Sequence, residues 1–243
     1  MCGPAGRAGW RPKNPRYYPA APGGLAPKVP NLPAMRHQID LATWPRREHF
    51  AFFSAFEEPF FGLVAEVEVG AARAEARQLG VSFFLYYLYQ ALAAANAVPE
   101  FRDRIEQGRV YRYDQVHASA TIGRPDHTFG FSFLEHQPSL AEFLATAQPE
   151  IAAVQQAGGL CLSERTGRPD VLHCSALPWV RFTGLTHARS FGQPDSAPKL
   201  SFGQAYDHGT GQRMAVAVNV HHALADGYHV GQFLEAFQRR LNG

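Results

Sequence analysis

From Met214 to Val220 the chain reads MAVAVNV, with Met214, Val216, Val218 and Val220 at every second position. From Val230 onward the apolar residues fall at Val230, Phe233, Leu234, Phe237 and Leu241. The first spacing is that of a half-buried strand, the second that of one face of a helix. The same two rhythms run through the rest of the chain. They predict strands over 39–41, 63–69, 110–113, 116–122, 128–133, 171–176, 180–183, 199–206 and 214–221. Helices are expected over 44–56, 71–78, 81–97, 140–156 and 228–241, with Thr43 placed to start the first and Pro99 ending the third. Strands crowd into the second half between helices, which indicates a layered α+β fold more than a doubly wound one. No internal repeat appears.

Residues 1–34 keep neither rhythm. They hold eight prolines and five Lys/Arg with no acid, so they cannot bury enough apolar surface to offset their ordering entropy. A disordered basic tail is expected there, or a start-site artefact, since Met35 follows directly. Without those five basic residues the formal charge of +2 becomes −3, so the basic balance belongs to the tail. A single domain is expected over 35–243. A charge this small gives no case for nucleic-acid or membrane-surface binding. No apolar run reaches the ~18 residues of a spanning helix, and the start lacks the apolar centre of a secretory signal. Cys2, Cys161 and Cys174 are odd in number and form no ligand spacing, so reduced thiols in a cytoplasmic protein are expected, with no metal.

The alternating run ends on His221-His222, and Asp226-Gly227 follows before the last helix. Period two places His222 on the face of Met214, Val216, Val218 and Val220, and His221 on the face of Ala215, Ala217 and Asn219. An imidazole leaving an apolar face can be partly desolvated and stay neutral near pH 7, the form a general base needs. Asp226 stands where a helix N-cap belongs. His222, Asp226 and His229 could also be imagined around a metal, but no HExxH or comparable ligand set accompanies them. No GxSxG elbow supplies a nucleophile.

His221-His222-Ala-Leu-Ala-Asp226-Gly227 fits the HHxxxDG signature of CoA-dependent acyltransferases, and Gly-Tyr-His-Val after it resembles the chloramphenicol acetyltransferase family. IDLATWPRREHFAFF, PEFRDRIEQGRV and SALPWVRFTGL are similar to that family in the same order, so the resemblance runs from Ile39 to the end. It implies a two-layer mixed sheet with helices packed on one face, and a homotrimer with each site at a subunit interface. It implies acetyl transfer from acetyl-CoA to a small-molecule hydroxyl, chloramphenicol or a similar alcohol. His222 matches the general base, Ser175 the hydroxyl that stabilises the oxyanion, and Ser201 a threonine that orients a water. Asp226 and Arg46 match a supporting ion pair, Trp179 a ring beside the CoA arm, and Phe53 and Phe61 aromatic positions of the acceptor pocket.

Gln204-Ala205 departs from a Lys-Tyr pair that contacts CoA, which leaves Arg181 and Lys199 as candidate phosphate contacts. His187 and Lys199 fall on apolar pocket positions, where polar groups are costly against an apolar drug unless paired. A different hydroxyl acceptor, a carrier-bound acyl donor and a non-catalytic ligand-binding relative are the alternatives.

Overall fold

The computed structural model describes residues 35–188 and 195–243; the expected tail over 1–34, with Cys2, lies outside them. Where side chains alternate in polarity the chain forms strands, and where they recur at helical spacing it coils. The order opens with β1 (Arg36–Gln38), α1 (Arg47–Phe53), β2 (Phe60–Glu68), α2 (Gly70–Gln78) and α3 (Phe83–Ala97). A 3₁₀ turn at Pro99–Arg102 leads into β3 (Asp103–Glu106), β4 (Arg109–Tyr113), β5 (His117–Gly123) and β6 (Phe129–Leu134). Then come α4 (Leu140–Gln156), β7 (Val171–Ala176), β8 (Lys199–His208), β9 (Gly211–His221) and α5 (Gly227–Asn242).

Two sheets result. The larger runs β2-β9-β8-β7-β5-β6 and is mixed, since β7 lies parallel to β5 and β8 while the other neighbours are antiparallel. One face is apolar: Val216, Val218 and Val220 of β9, Leu200 and Phe202 of β8, and Leu172 and Cys174 of β7 pack with residues of α3, α4 and α5 into one core. Phe233 stacks on Phe101 at 4.8 Å, and Phe237 meets Phe202 edge-on at 6.1 Å. Each such ring removed from water contributes roughly 1.5–3 kcal/mol. Helices on one face of a mixed sheet are the layered α+β fold expected.

The smaller sheet, β1-β4-β3, carries charge instead of apolar alternation. Arg104 of β3 is fully buried and donates to the carbonyls of Phe101, Asp103, Pro169 and Val171, which joins β3 to the start of β7. Burial lowers its pKa to about 10, and the neighbouring carboxylates resist that.

Several expectations shift. The strand expected over 39–41 lies three residues earlier as β1, because Asp40 folds back to accept from the amide of Ala42 and from Thr43 Oγ1. The helix expected over 44–56 is shorter, with Arg46 instead of Thr43 at its N-cap. Trp44 is drawn out of it to pack with Val110 and Leu224. No strand forms over 180–183: both edges of β8 are already taken by β7 and β9, and among the described residues the segment's backbone bond to β8 is the one that the Val180 carbonyl accepts from the Gln204 amide. β3 was not foreseen. Its signal is Gln107-Gly108, both at positive φ (51° and 75°), the two-residue turn that closes β3 on β4.

Candidate active site

β9 delivers the histidine pair, and the chain turns immediately after it. The His221 carbonyl accepts from the amides of Leu224 and Ala225, and the His222 amide donates to the Pro59 carbonyl at 2.8 Å. Strand parity holds through the turn. His221 is buried on the face away from the helices, edge-on to Phe60 at 5.4 Å. The His222 ring lies on the opposite side, stacked on Phe53 at 3.9 Å and 9° and tilted against Phe61 at 5.2 Å. Phe61 itself packs on the core. Nδ1 of His222 is buried with no hydrogen-bond partner among the described residues. The residue is half-buried, so Nε2 is the nitrogen left to face outward.

Charge fixes the turn. Arg46 donates to Asp226 Oδ2 at 2.6 Å and to the His222 carbonyl at 3.2 Å. Asp226 caps α5 by accepting from the Tyr228 amide, and its Oδ1 lies 2.9 Å from His229 Nδ1. Burial acts to raise the Asp226 carboxyl, but the Arg46 hydrogen bond, His229 and the Tyr228 amide outweigh it and hold it at about 2. The chain of charges continues. His229 Nε2 lies 3.9 Å from Glu100, Glu100 lies 3.7 Å from Arg112, and Arg112 pairs with Asp103 through two bonds of 2.7 and 2.8 Å. The sequence singles out neither Glu100 nor Arg112, and offers His229 only as part of an imagined metal set. The His of Gly-Tyr-His-Val was the one visible signal.

Ser175 and Ser201 come together elsewhere. They are register partners on β7 and β8, and their hydroxyl oxygens lie 2.7 Å apart. Ser201 is wholly buried and Ser175 half-buried. Both lie on the sheet face away from the helices, since Leu200, Phe202 and Cys174 between them point into the core. Ser201 pairs in turn with Ala217. His222 therefore lies about 16 Å farther along β9 than that row, and about 10 Å from β7 across it. Its ring is on the other face. One chain does not bring His222 to the serine pair.

A cavity of about 700 Å³ opens at Ala176, the residue after Ser175, on the helix-covered side, between α3, α4 and the ends of β5, β7 and β8. Trp179 lines it and is 78% exposed, so its ring belongs to the cavity wall and not to the core. Phe83 and Tyr87 add apolar wall, while Gln148, Gln155 and Gln204 offer amides. That mixture suits a slender, amide-bearing ligand, the kind of arm that the resemblance implies for acetyl-CoA. Of the two cations considered for its phosphates, Lys199 is 7% exposed and paired with Asp195, while Arg181 lies over the Tyr206 ring at 3.4 Å. Neither lines the cavity. Arg73 does, and among the described residues lining it Arg73 is the one cation.

Burial lowers the His173 imidazole to about 4, and the Lys199 charge beside it acts the same way. Burial likewise lowers His117 to about 4, against the pull of Asp170. Among the described residues no helix is long and apolar enough to cross a membrane. Cys161 and Cys174 are free thiols.

This architecture is that of the CoA-dependent acyltransferases. A probable dihydrolipoamide acetyltransferase from Listeria monocytogenes 4b F2365 shares the fold at a TM-score of 0.60 and 12% identity, over 80% of this chain and 88% of that one. A solved chloramphenicol acetyltransferase superimposes at a TM-score of 0.80 and 32% identity, over 85% of this chain and 100% of that one. Chloramphenicol acetyltransferase 2 of Escherichia coli is 29% identical over 202 residues, 83% of this chain and 94% of its own. The chloramphenicol acetyltransferase of Streptomyces acrimycini is 29% identical over 205 residues, 84% and 93% of the two. The sequence pattern of the chloramphenicol acetyltransferase family matches residues 35–238. The chain belongs to that family and is an acyltransferase.

Proposed function

We propose that the protein is a cytoplasmic, homotrimeric O-acetyltransferase that moves acetyl from acetyl-CoA to the hydroxyl of a small molecule, chloramphenicol or a similar alcohol. The observation that carries this reading is the His222 ring, clamped face-on by Phe53 with Nδ1 inward and Nε2 outward. A ring held in that way removes the hydroxyl proton through Nε2 as the oxygen attacks. Acetyl-CoA supplies a thioester, so no acyl-enzyme is needed. Ser175 donates to the developing oxyanion, and Ser201, 2.7 Å from it, orients that hydroxyl and a nearby water. Arg46 and Asp226 hold the backbone of His222 and take no proton. Trp179 flanks the CoA arm, and Arg73 offers the cation for its phosphates.

His222 and the serines stand on opposite faces of one chain, which supports a site built from two copies: the base from one, the serine pair and the CoA cavity from its neighbour. Phe53 and Phe61 then enter the acceptor pocket with the base. The test is acetyl-CoA consumption with chloramphenicol and a panel of other alcohols. His222→Ala is expected to lose about 10²–10⁴-fold in kcat, and a variant as active as the parent would overturn the mechanism.

A further inference from the structure

The sheet face that carries the serine pair continues into a second polar row. Register places His173, Lys199, Asn219 and Gly62 side by side across β7, β8, β9 and β2, one row from Ser175, Ser201, Ala217 and Val64. Asn219 is 8% exposed, and its carboxamide makes no hydrogen bond among the described residues. It lies flat over Gly62: a Cβ on that glycine would come 2.2 Å from Asn219 Oδ1. The residue is largely enclosed, yet its amide atoms are not sealed off, so they reach open space where a ligand, a water or a partner can satisfy them. Here it borders a space. A cavity of about 560 Å³ is lined by Asn219 and Gly62 on its floor and by Glu58, Thr183, Thr186 and His187 around it.

Resting on the O-acetyltransferase reading above, which implies an acceptor pocket at His187, we infer that Asn219 on the floor of this cavity recognises the acceptor and sets its class. A carboxamide donates and accepts at once, and two threonine hydroxyls stand near it. The acceptor class this fits is a hydrogen-bonding alcohol, a sugar or nucleoside hydroxyl, in place of an apolar arene. Asn219 is the diagonal neighbour of Ser201, roughly 7–8 Å away by sheet geometry. That is the reach of one sugar ring between the group recognised and the hydroxyl acetylated.

The experiment uses N-acetylglucosamine, uridine and chloramphenicol with the full chain, in calorimetry without acetyl-CoA and in steady-state acetyl transfer. Wild type is expected to bind and acetylate N-acetylglucosamine or uridine. Asn219→Leu should raise KM for that probe about tenfold, leave its kcat within a few-fold, and not weaken chloramphenicol. Gly62→Ala keeps the amide but pushes it off its seat, and should raise the same KM. Light scattering accompanies each variant. Unchanged KM in both variants, or preference of wild type for chloramphenicol over both polar probes, would overturn the inference. So would loss of the assembly in Asn219→Leu, because the amide would then serve subunit contact. If wild type acetylates no alcohol at all, the O-acetyltransferase reading fails first. Transfer to a polar alcohol that is indifferent to Asn219 sinks only the pocket.

Discussion

At one end of β9 the turn carrying His222 hangs on charges: Arg46, Asp226, His229, Glu100 and Arg112 link it to the small sheet. The serine pair has no such support. Ser175 and Ser201 meet because β7 and β8 are parallel and in register, with helices packed behind them. His222 thus sits on a network of part-buried ions, and the serine pair on a hydrogen-bonded ladder. Ion pairs hold a loop where no ladder can reach, but they respond to pH, salt and single substitutions more readily than a ladder does.

The sharpest way to use that contrast is to separate the two halves. Ser175→Ala should lose about 10²–10³-fold in kcat, alongside the larger loss expected for His222→Ala. Refolding the two inactive variants together tests whether the halves belong to different copies. Random equal mixing in a cyclic trimer restores about one quarter of the sites, whereas a site built within one chain regains nothing. Breaking the tether is milder. Arg46→Ala leaves His222 in place but frees its backbone, and should cost roughly 10–100-fold in kcat with acetyl-CoA affinity unchanged. A variant with full activity would show that the loop needs no anchor.

The smallest effect concerns stability, and it falls on the ladder side. His173 is held at about 4, below the ordinary value near 6.5. The unfolded chain therefore binds a proton through that window while the folded chain does not. Stability linked to His173 is complete above about pH 6.5 and is lost as pH falls toward 4. Urea unfolding at fixed protein concentration should show wild type losing on the order of 1–3 kcal/mol more than His173→Asn between pH 7 and 4.5. Equal slopes would mean that His173 already protonates in the fold.

Where rhythm was strong and unchallenged, sequence and structure agree end to end: α4 and β7 begin and stop at the expected residues. Parity alone separates His221 from His222, and the structure keeps them on opposite sides. Expectations failed where a tertiary partner outweighed local pattern. Trp44 left its helix to reach Val110 and Leu224, and residues 180–183 have a strand pattern but find no free ladder. β3 is rich in charge and alternates weakly, so only its two-residue turn could have announced it. For the site, the signature marked His222 and Asp226, but nothing local could reveal that Asp226 reaches Glu100 through His229. The 2.7 Å contact of Ser175 with Ser201 is equally remote in sequence, since register between parallel strands depends on how the intervening chain crosses over.

β9, a strand paired along both edges, presents Asn219 to one compartment and delivers His222, the residue after its end, to another. Inserting or deleting one residue there would exchange every side chain between those compartments. Random-mutagenesis libraries should therefore return no length variants within β9, while the wall around Thr183 and Thr186, outside any ladder, accepts substitutions and insertions. On the proposed acceptor reading, new alcohols are reached in evolution by rewriting that wall, with the strand's length held constant.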